Sequence, residues 1–397
     1  MTLATPIMKR KGPQQPLLDL PDFLEDSPFL PHFDARADAE WKKNRQPKPT
    51  YRQILNSKPV RTILGVLLAF VGLIYARRAV REHHVWTRLT GPSCFYTKPV
   101  TVPTLASTID VDWSTFAYVQ YATNLEYLCN AVMIFETLHR LESKADRLLM
   151  YPSKYSLDAS SGTPETRLLL KARDELNVTL KGIRVQHENS AAYSGPNWAD
   201  SYTKLLAFDQ KEYTRLLVLD SDATILQPLD ELFLLPSATA VMPRAWWLDY
   251  PFLSSHFMLI EPSGPEYWRV QKEMEHARLG YYDMEIMNKL YGRQCLVLPH
   301  QPYALLTGEF RAESHAKWLE GGSQEVWDPD MVRKEARVVH FSDDPLPKPW
   351  LATKKQLEKS QPKCIGGVGF DEDCRARDIW LELYADFRGR RKDVCGM

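Results

Sequence analysis

The stretch Arg215 to Leu219, Arg-Leu-Leu-Val-Leu, is apolar at every position after its first residue and is bounded by charge. A strand of that kind cannot alternate between core and solvent, so it has to be covered on both faces, as in a sheet with helices on either side. From about Ser114 onward the surrounding chain fits this demand. Short apolar runs at Phe116 to Ala122, Arg147 to Tyr151, Ile183 to Gln186, Thr239 to Met242, His256 to Ile260, Cys295 to Leu298 and Arg337 to Phe341 read as further strands. Helical periodicity spans Leu125 to Leu141, Glu165 to Leu176 and Ala199 to Asp209. The alternation predicts an α/β domain with a mostly parallel sheet, in which ligands sit beyond the carboxyl ends of the strands.

With 397 residues and 44% hydrophobic content, the chain can bury one large core or two modest ones. Its charge is balanced, 50 Lys+Arg against 50 Asp+Glu, which argues against the electropositive footprint of a nucleic-acid binder. The six cysteines show neither CxxC pairs nor zinc-ligand spacing, and three of them (Cys364, Cys374, Cys395) crowd the C-terminus, where an oxidising compartment would let them staple the tail. Residues 1–58 mix proline with charges of both signs and predict a disordered tail. The uncharged run Ile63 to Ala76 follows, framed by Arg61, Arg77 and Arg78. Fourteen helical residues reach only about 21 Å, short of a ~30 Å hydrocarbon core. Snorkelling arginines and the neighbours Val60, Thr62, Ala79 and Val80 extend it enough to predict a membrane anchor rather than a core helix. Seven basic residues precede the run and four follow it, which favours a cytosolic N-terminus. No small-residue cleavage site lies close behind, as in an uncleaved signal anchor.

The pattern Asp-x-Asp occurs at 110/112, 220/222, 328/330 and 371/373. An Asp-rich turn capping the next element accounts for most such pairs. Only Asp220/Asp222 follows a run apolar enough to be a central strand, which places both carboxylates at the ligand-binding edge of the sheet. Two carboxylates so close repel each other and lose hydration when a site closes, so they call for a cation. Hard oxygen ligands beside phosphate oxygens suit Mn²⁺ or Mg²⁺.

The run Tyr202-Thr203-Lys204-Leu205 through Tyr213, Arg215 and Asp220-Ser221-Asp222 to Pro228-Leu229-Asp230-Glu231-Leu232-Phe233 resembles the core of glycosyltransferase family 8, the glycogenin-like retaining transferases. Tyr118 to Tyr127 is similar to that family's first strand and helix, and Val339-His340-Phe341 with Lys348-Pro349-Trp350 to its C-terminal metal and diphosphate motif. The three pieces stand in the family's order between Phe116 and Trp350. Within the family, the run Tyr282 to Asn288 and a single N-terminal anchor resemble the fungal Golgi N-acetylglucosaminyltransferases.

The resemblance implies a Rossmann-like GT-A domain over 114–351 that takes a UDP-sugar as donor and a glycan as acceptor. A cytosolic tail (1–58), a signal-anchor helix (59–80) and a lumenal stem (81–113) would precede it, and a cysteine-containing extension (352–397) would follow. It assigns Asp220 to metal and nucleotide, Asp222 and His340 to a Mn²⁺ (alternatively Mg²⁺), Lys348 to the diphosphate, Lys204 to the donor, and Asp283 to the transferred sugar. Thr123, Asn124 and Tyr127 would read and stack on the uracil, although Thr123 or Asn124 would serve equally as a helix cap. Met284 departs from the amide the family often carries after that acidic residue. Without the motif, His340 would read as a strand-end residue, Lys348 as a solvated lysine and Lys204 as an exposed helix residue.

Trp246-Trp247-Leu248-Asp249-Tyr250-Pro251-Phe252 is either an acceptor platform or packing beneath a loop. A non-catalytic glycan-binding scaffold with a decayed transferase fold is a competing reading. A glycoside hydrolase with two carboxylates is another, but it would leave His340 and Lys348 idle. Walker, dinucleotide-fingerprint, HExxH and nucleophile-elbow motifs are absent from the sequence.

Overall fold

The computed structural model describes residues 98–104, 110–187, 200–278, 280–320, 326–366 and 372–397, with the isolated positions Lys58, Thr62, Gly65 and Gly72. The chain divides into two units, Met1–Arg81 and Glu82–Met397. The tail and anchor expected over 1–80 lie outside the described residues apart from those four positions. Among the described residues, no helix is long and apolar enough to cross a membrane.

The second unit is built on a seven-stranded sheet in the order β3-β2-β1-β4-β7-β6-β8. Its strands are β1 (Phe116–Tyr121), β2 (Asp146–Pro152), β3 (Val178–Ile183), β4 (Arg215–Leu219), β6 (Ala240–Pro243), β7 (Phe257–Ile260) and β8 (Leu296–Leu298). All neighbours run parallel except at β7, which is antiparallel to both β4 and β6. The α/β expectation therefore holds, with one reversed strand inside the sheet. A second sheet of three strands, β5 (Ala223–Ile225), β10 (Val338–His340) and β9 (Leu305–Leu306), stands beside the first.

β4 shows why its sequence is apolar throughout. Leu217 and Leu219 face one core and Leu216 and Val218 the other, each no more than 1% exposed. The first core is covered by α1 (Leu125–Arg140) and α2 (Pro164–Leu176); the second by the 3₁₀ segment Ser201–Asp209, α3 (Gly264–Glu275) and α4 (Asp283–Tyr291). Helix ends carry the expected signals. Asn124 caps α1 by accepting the Tyr127 N–H, with Glu126 in the first turn and His139 and Arg140 in the last. Thr163 and Pro164 open α2, and Asn177, at φ 52°, closes it in the left-handed conformation.

α5 (Pro329–Glu335) and α6 (Lys354–Ser360) precede the long C-terminal helix α7 (Arg375–Cys395). α7 lies along α1 and is fixed there in three ways. A disulfide joins Cys129 to Cys395 across 266 residues. Arg390 reaches Glu136 (2.8 Å) and the Met133 carbonyl (2.7 Å), and Arg391 bonds Glu126 and Asn130. A second disulfide, Cys364–Cys374, closes a local loop. The C-terminal cysteines thus divide between a local staple and a long one.

Candidate active site

Asp220 and Asp222 stand where the chain changes sheets. β4 ends at Leu219 in the large sheet and β5 begins at Ala223 in the small one, so the Asp-Ser-Asp turn bridges the two. β10 runs antiparallel to β5 with His340 opposite Ala223, and the Phe341 N–H donates to the Asp222 carbonyl at 2.9 Å. That register brings together side chains 118 positions apart: His340 Nε2 lies 3.1 Å from Asp222 Oδ1. Lys348 Nζ lies 2.7 Å from Asp222 Oδ2. The other acidic pairs behave as caps. Asp112 accepts the Ser114 N–H, Asp328 those of Asp330 and Met331, and Asp373 that of Arg375.

A second charged cluster adjoins the first. Lys204, with only 2% of its side chain exposed, places Nζ 2.8 Å from Asp220 Oδ1, 2.6 Å from Asp283 Oδ2 and 3.0 Å from the Ser255 carbonyl. It is not the exposed helix residue its pattern suggests. The Tyr121 hydroxyl donates to Asp220 (3.1 Å) and the Ser255 hydroxyl to Asp283 (2.6 Å). Asp283 is the first residue of α4, where the helix dipole favours a carboxylate. Asn288, further along the same helix, fixes it by exchanging hydrogen bonds with the Leu253 backbone (2.9 and 2.7 Å).

Burial and charge pull these carboxylates apart. Burial alone would raise Asp222, but the Lys348 ammonium and then His340 outweigh it and hold its pKa well below the ordinary carboxylate value. Burial raises Asp220; Lys204 opposes that, while the charges of Asp222 and Asp283 reinforce it. Burial would also raise Asp283, but Lys204 and the hydrogen bonds from Lys204 and Ser255 bring it below the usual value.

Thr123, Tyr127, Lys204, Asp220, Asp222, Asp283, His340 and Lys348 all line one cleft that opens to solvent. Asn124 does not line it; its side-chain oxygen is committed to capping α1. The Tyr127 ring meets Trp350 edge-on, with centroids 5.6 Å apart. Trp246 donates to the Ala304 carbonyl (2.9 Å) and packs on Trp247, His300 and Trp318. Neither Trp246 nor Trp247 lines the cleft, so Trp246 is packing beneath a loop.

Asp220, Asp222 and His340 present ligand atoms within 4.8 Å of one another. Two carboxylates and one imidazole, without a thiolate, fit a hard divalent cation, and the imidazole favours Mn²⁺ over Mg²⁺. Cys364, Glu372 and Cys374 also cluster, but both sulfurs are in a disulfide.

Sequence reasoning missed several contributors. Asp343 has a fully buried side chain that lines the cleft. It accepts from Thr307, from Arg311 (3.2 Å), from the Trp380 indole (3.1 Å) and from the Tyr384 hydroxyl (2.8 Å). The loop between His340 and Lys348 is thereby tied to α7. A Cβ on Gly308 would meet the Ser342 carbonyl at 2.6 Å, so the same loop approaches too closely for any side chain there. His256, at the start of β7, is 7% exposed and bonds Ser254 through Nδ1; its ring centre lies 5.0 Å from that of His340. The one local signal for it was a histidine opening an otherwise apolar strand.

No family model matches the sequence. A protein of Gibberella zeae named glucose N-acetyltransferase 1 is 49% identical over 293 residues, covering 72% of this chain and 63% of the relative. One of the same name from Aspergillus fumigatus is 44% identical over 330 residues, covering 78% and 83%. The chain thus spans less than two thirds of the Gibberella relative's length and more than four fifths of the Aspergillus relative's. Among solved structures, the galactosyltransferase LgtC with donor and acceptor sugar analogues aligns at TM-score 0.43 and 14% identity, over 69% of this chain and 99% of that one. The glycosyltransferase GlyE of Streptococcus pneumoniae TIGR4 aligns at TM-score 0.42 and 14% identity, over 70% and 63%.

Proposed function

The chain belongs to the glucose N-acetyltransferase 1 family, a glycosyltransferase 8-like group, and from that premise we propose a specific activity for it. It is a retaining GT-A glycosyltransferase that moves N-acetylglucosamine from UDP-N-acetylglucosamine to an acceptor glycan, using Mn²⁺. The observation that carries this reading is the convergence of Asp220, Asp222 and His340 within 4.8 Å, with Lys348 2.7 Å from Asp222. A two-carboxylate hydrolase has no use for the imidazole and the ammonium gathered there.

Asp220, Asp222 and His340 would hold a divalent cation, and that ion would supply charge neutralisation for a departing diphosphate. Lys348 adds a positioned ammonium on the same side, between Pro347 and Pro349, which limit its backbone. Asp283, kept ionised by Lys204 and Ser255, presents a carboxylate to the sugar as positive charge develops at its anomeric carbon. On the front-face route, the bond from that carbon to the phosphate oxygen breaks as the bond to the acceptor oxygen forms. The acceptor proton passes to the leaving phosphate, so no enzymatic base is required.

The same proposal places the domain in the Golgi lumen behind the apolar run Ile63 to Ala76. The disulfides Cys129–Cys395 and Cys364–Cys374 accord with an oxidising compartment. The test is turnover of UDP-N-acetylglucosamine, UDP-glucose and UDP-galactose by the full-length protein with and without Mn²⁺. Mn²⁺-dependent release of UDP, fastest from UDP-N-acetylglucosamine, is expected; turnover indifferent to chelation, or none with any donor, refutes the reading.

A further inference from the structure

Two of the buried side-chain nitrogens that lack a hydrogen-bond partner among the described residues belong to neighbouring rings: His256 Nε2 and His340 Nδ1. The other nitrogen of each ring is engaged, His340 Nε2 with Asp222 and His256 Nδ1 with Ser254 Oγ. The rings are tilted by 38° with centres 5.0 Å apart. The two unpaired nitrogens therefore belong to adjacent rings, and a hydrogen bond between them would satisfy both. Leaving both unpaired is costly in a buried site. A histidine that ligates a metal through one nitrogen almost always donates its other N–H to a fixed acceptor, which sets the tautomer and strengthens the ligand.

We infer that His256 is the positioning residue for His340, accepting the His340 Nδ1–H at its own Nε2 and passing the constraint to Ser254. The tautomers have one consistent solution. His340 keeps Nε2 free to ligate and carries its proton on Nδ1; His256 accepts at Nε2, carries its proton on Nδ1 and donates it to Ser254 Oγ. Trp247 packs against the His256 ring, with centroids 5.9 Å apart.

The inference rests on the metal reading above, and the experiment separates the two. Mn²⁺ affinity of the full-length protein is measured by electron paramagnetic resonance of the free ion, with thermal unfolding in chelator as the folding control. His256→Phe keeps the ring but removes the acceptor, and is expected to weaken Mn²⁺ binding by about 10- to 100-fold. His256→Gln, whose amide oxygen accepts where Nε2 did, is expected to stay within a few-fold of wild type. Equal affinity in His256→Phe and wild type, or equal losses in the Phe and Gln variants, overturns the inference while leaving the function intact. If His256→Phe does not fold, Ser254→Ala decides: a few-fold loss of affinity supports the chain of hydrogen bonds, and no change refutes it. Failure of wild type to bind Mn²⁺ overturns the metal reading itself.

Discussion

The two charged clusters of the cleft share the Asp-Ser-Asp turn but differ in construction. Lys204, Asp220 and Asp283 are held by elements of the large sheet and its covering helices, with one ammonium buried between two carboxylates. Asp222, His340 and Lys348 hang on the three-stranded sheet and a loop, and that loop is anchored from behind by Asp343 and α7. In the first cluster the charges are part of the core, so losing one damages the fold. In the second they sit on a braced loop, so one can be lost with the fold intact.

The contrast is tested most severely by two lysine substitutions. Lys204→Met leaves Asp220 and Asp283 without their cation, and is expected to cost about 3–5 kcal/mol of stability as uncompensated buried charge. Lys348→Met, at a side chain 19% exposed whose partner Asp222 still keeps His340, is expected to cost less, about 1–3 kcal/mol. Chemical denaturation of both variants checks this; equal losses would erase the distinction. Asp222→Asn then reports on chemistry. Turnover is expected to fall by about 10²- to 10³-fold while the protein still unfolds cooperatively. Retained Mn²⁺-dependent turnover would remove Asp222 from the site.

The brace behind the second cluster can be cut far from the cleft. Replacing Cys129 and Cys395 together with serine releases α7 and is expected to lower stability by about 2–4 kcal/mol. The companion expectation is a rise in donor KM, because the Asp343 loop carries Lys348. A stability loss with unchanged kinetics would show that α7 serves the fold alone.

The pH response should divide the clusters by sign. Asp222, held below its unfolded value, contributes stability that is present above the ordinary carboxylate pKa, about 3.9, and lost as pH falls through its lower folded value. Asp220, held above its unfolded value, contributes stability that is full below about 3.9 and lost as pH rises through its folded value. From neutral pH into the acid limb, the stability gap between wild type and Asp222→Asn should narrow. For Asp220→Asn, wild type should gain relative to the variant as pH falls. Urea titrations at several pH values measure both, and parallel trends would contradict the assigned shifts.

How far the sequence could be read follows the same division. β4 was legible to the residue, because a strand buried on both faces writes its apolar run locally. α1, α2 and the Asp220/Asp222 turn were legible for similar reasons. Strand β3 was expected at Ile183 to Gln186 but occupies Val178–Ile183. It is an edge strand, starting directly after the α2 cap, and exposed positions such as Lys181 and Gly182 leave no apolar run to find. β5 and β9, of three and two residues, are too short for any periodicity. The reversal of β7 leaves no mark in its composition. Lys204 showed its motif but not its burial, since its partners lie 16 and 79 positions further along. Asp343 and His256 acquire meaning only from Trp380, Tyr384 and His340, which the fold supplies from elsewhere.

The smallest effect tests the entrance to α1, where two roles compete for one side chain. Asn124 spends its oxygen on the Tyr127 N–H at 3.1 Å, whereas Thr123 and Tyr127 line the cleft. A side chain committed to a helix end cannot also read a base edge with the same atom. Asn124→Ala is therefore expected to cost about 1 kcal/mol of stability, with donor KM unchanged beyond any general loosening. Asn124→Asp, which retains the capping oxygen, should recover the stability. If instead Asn124→Ala leaves stability untouched and raises donor KM several-fold, the residue reads the nucleotide. The boundary of the cleft would then extend one position further along the β1–α1 turn than the geometry draws it.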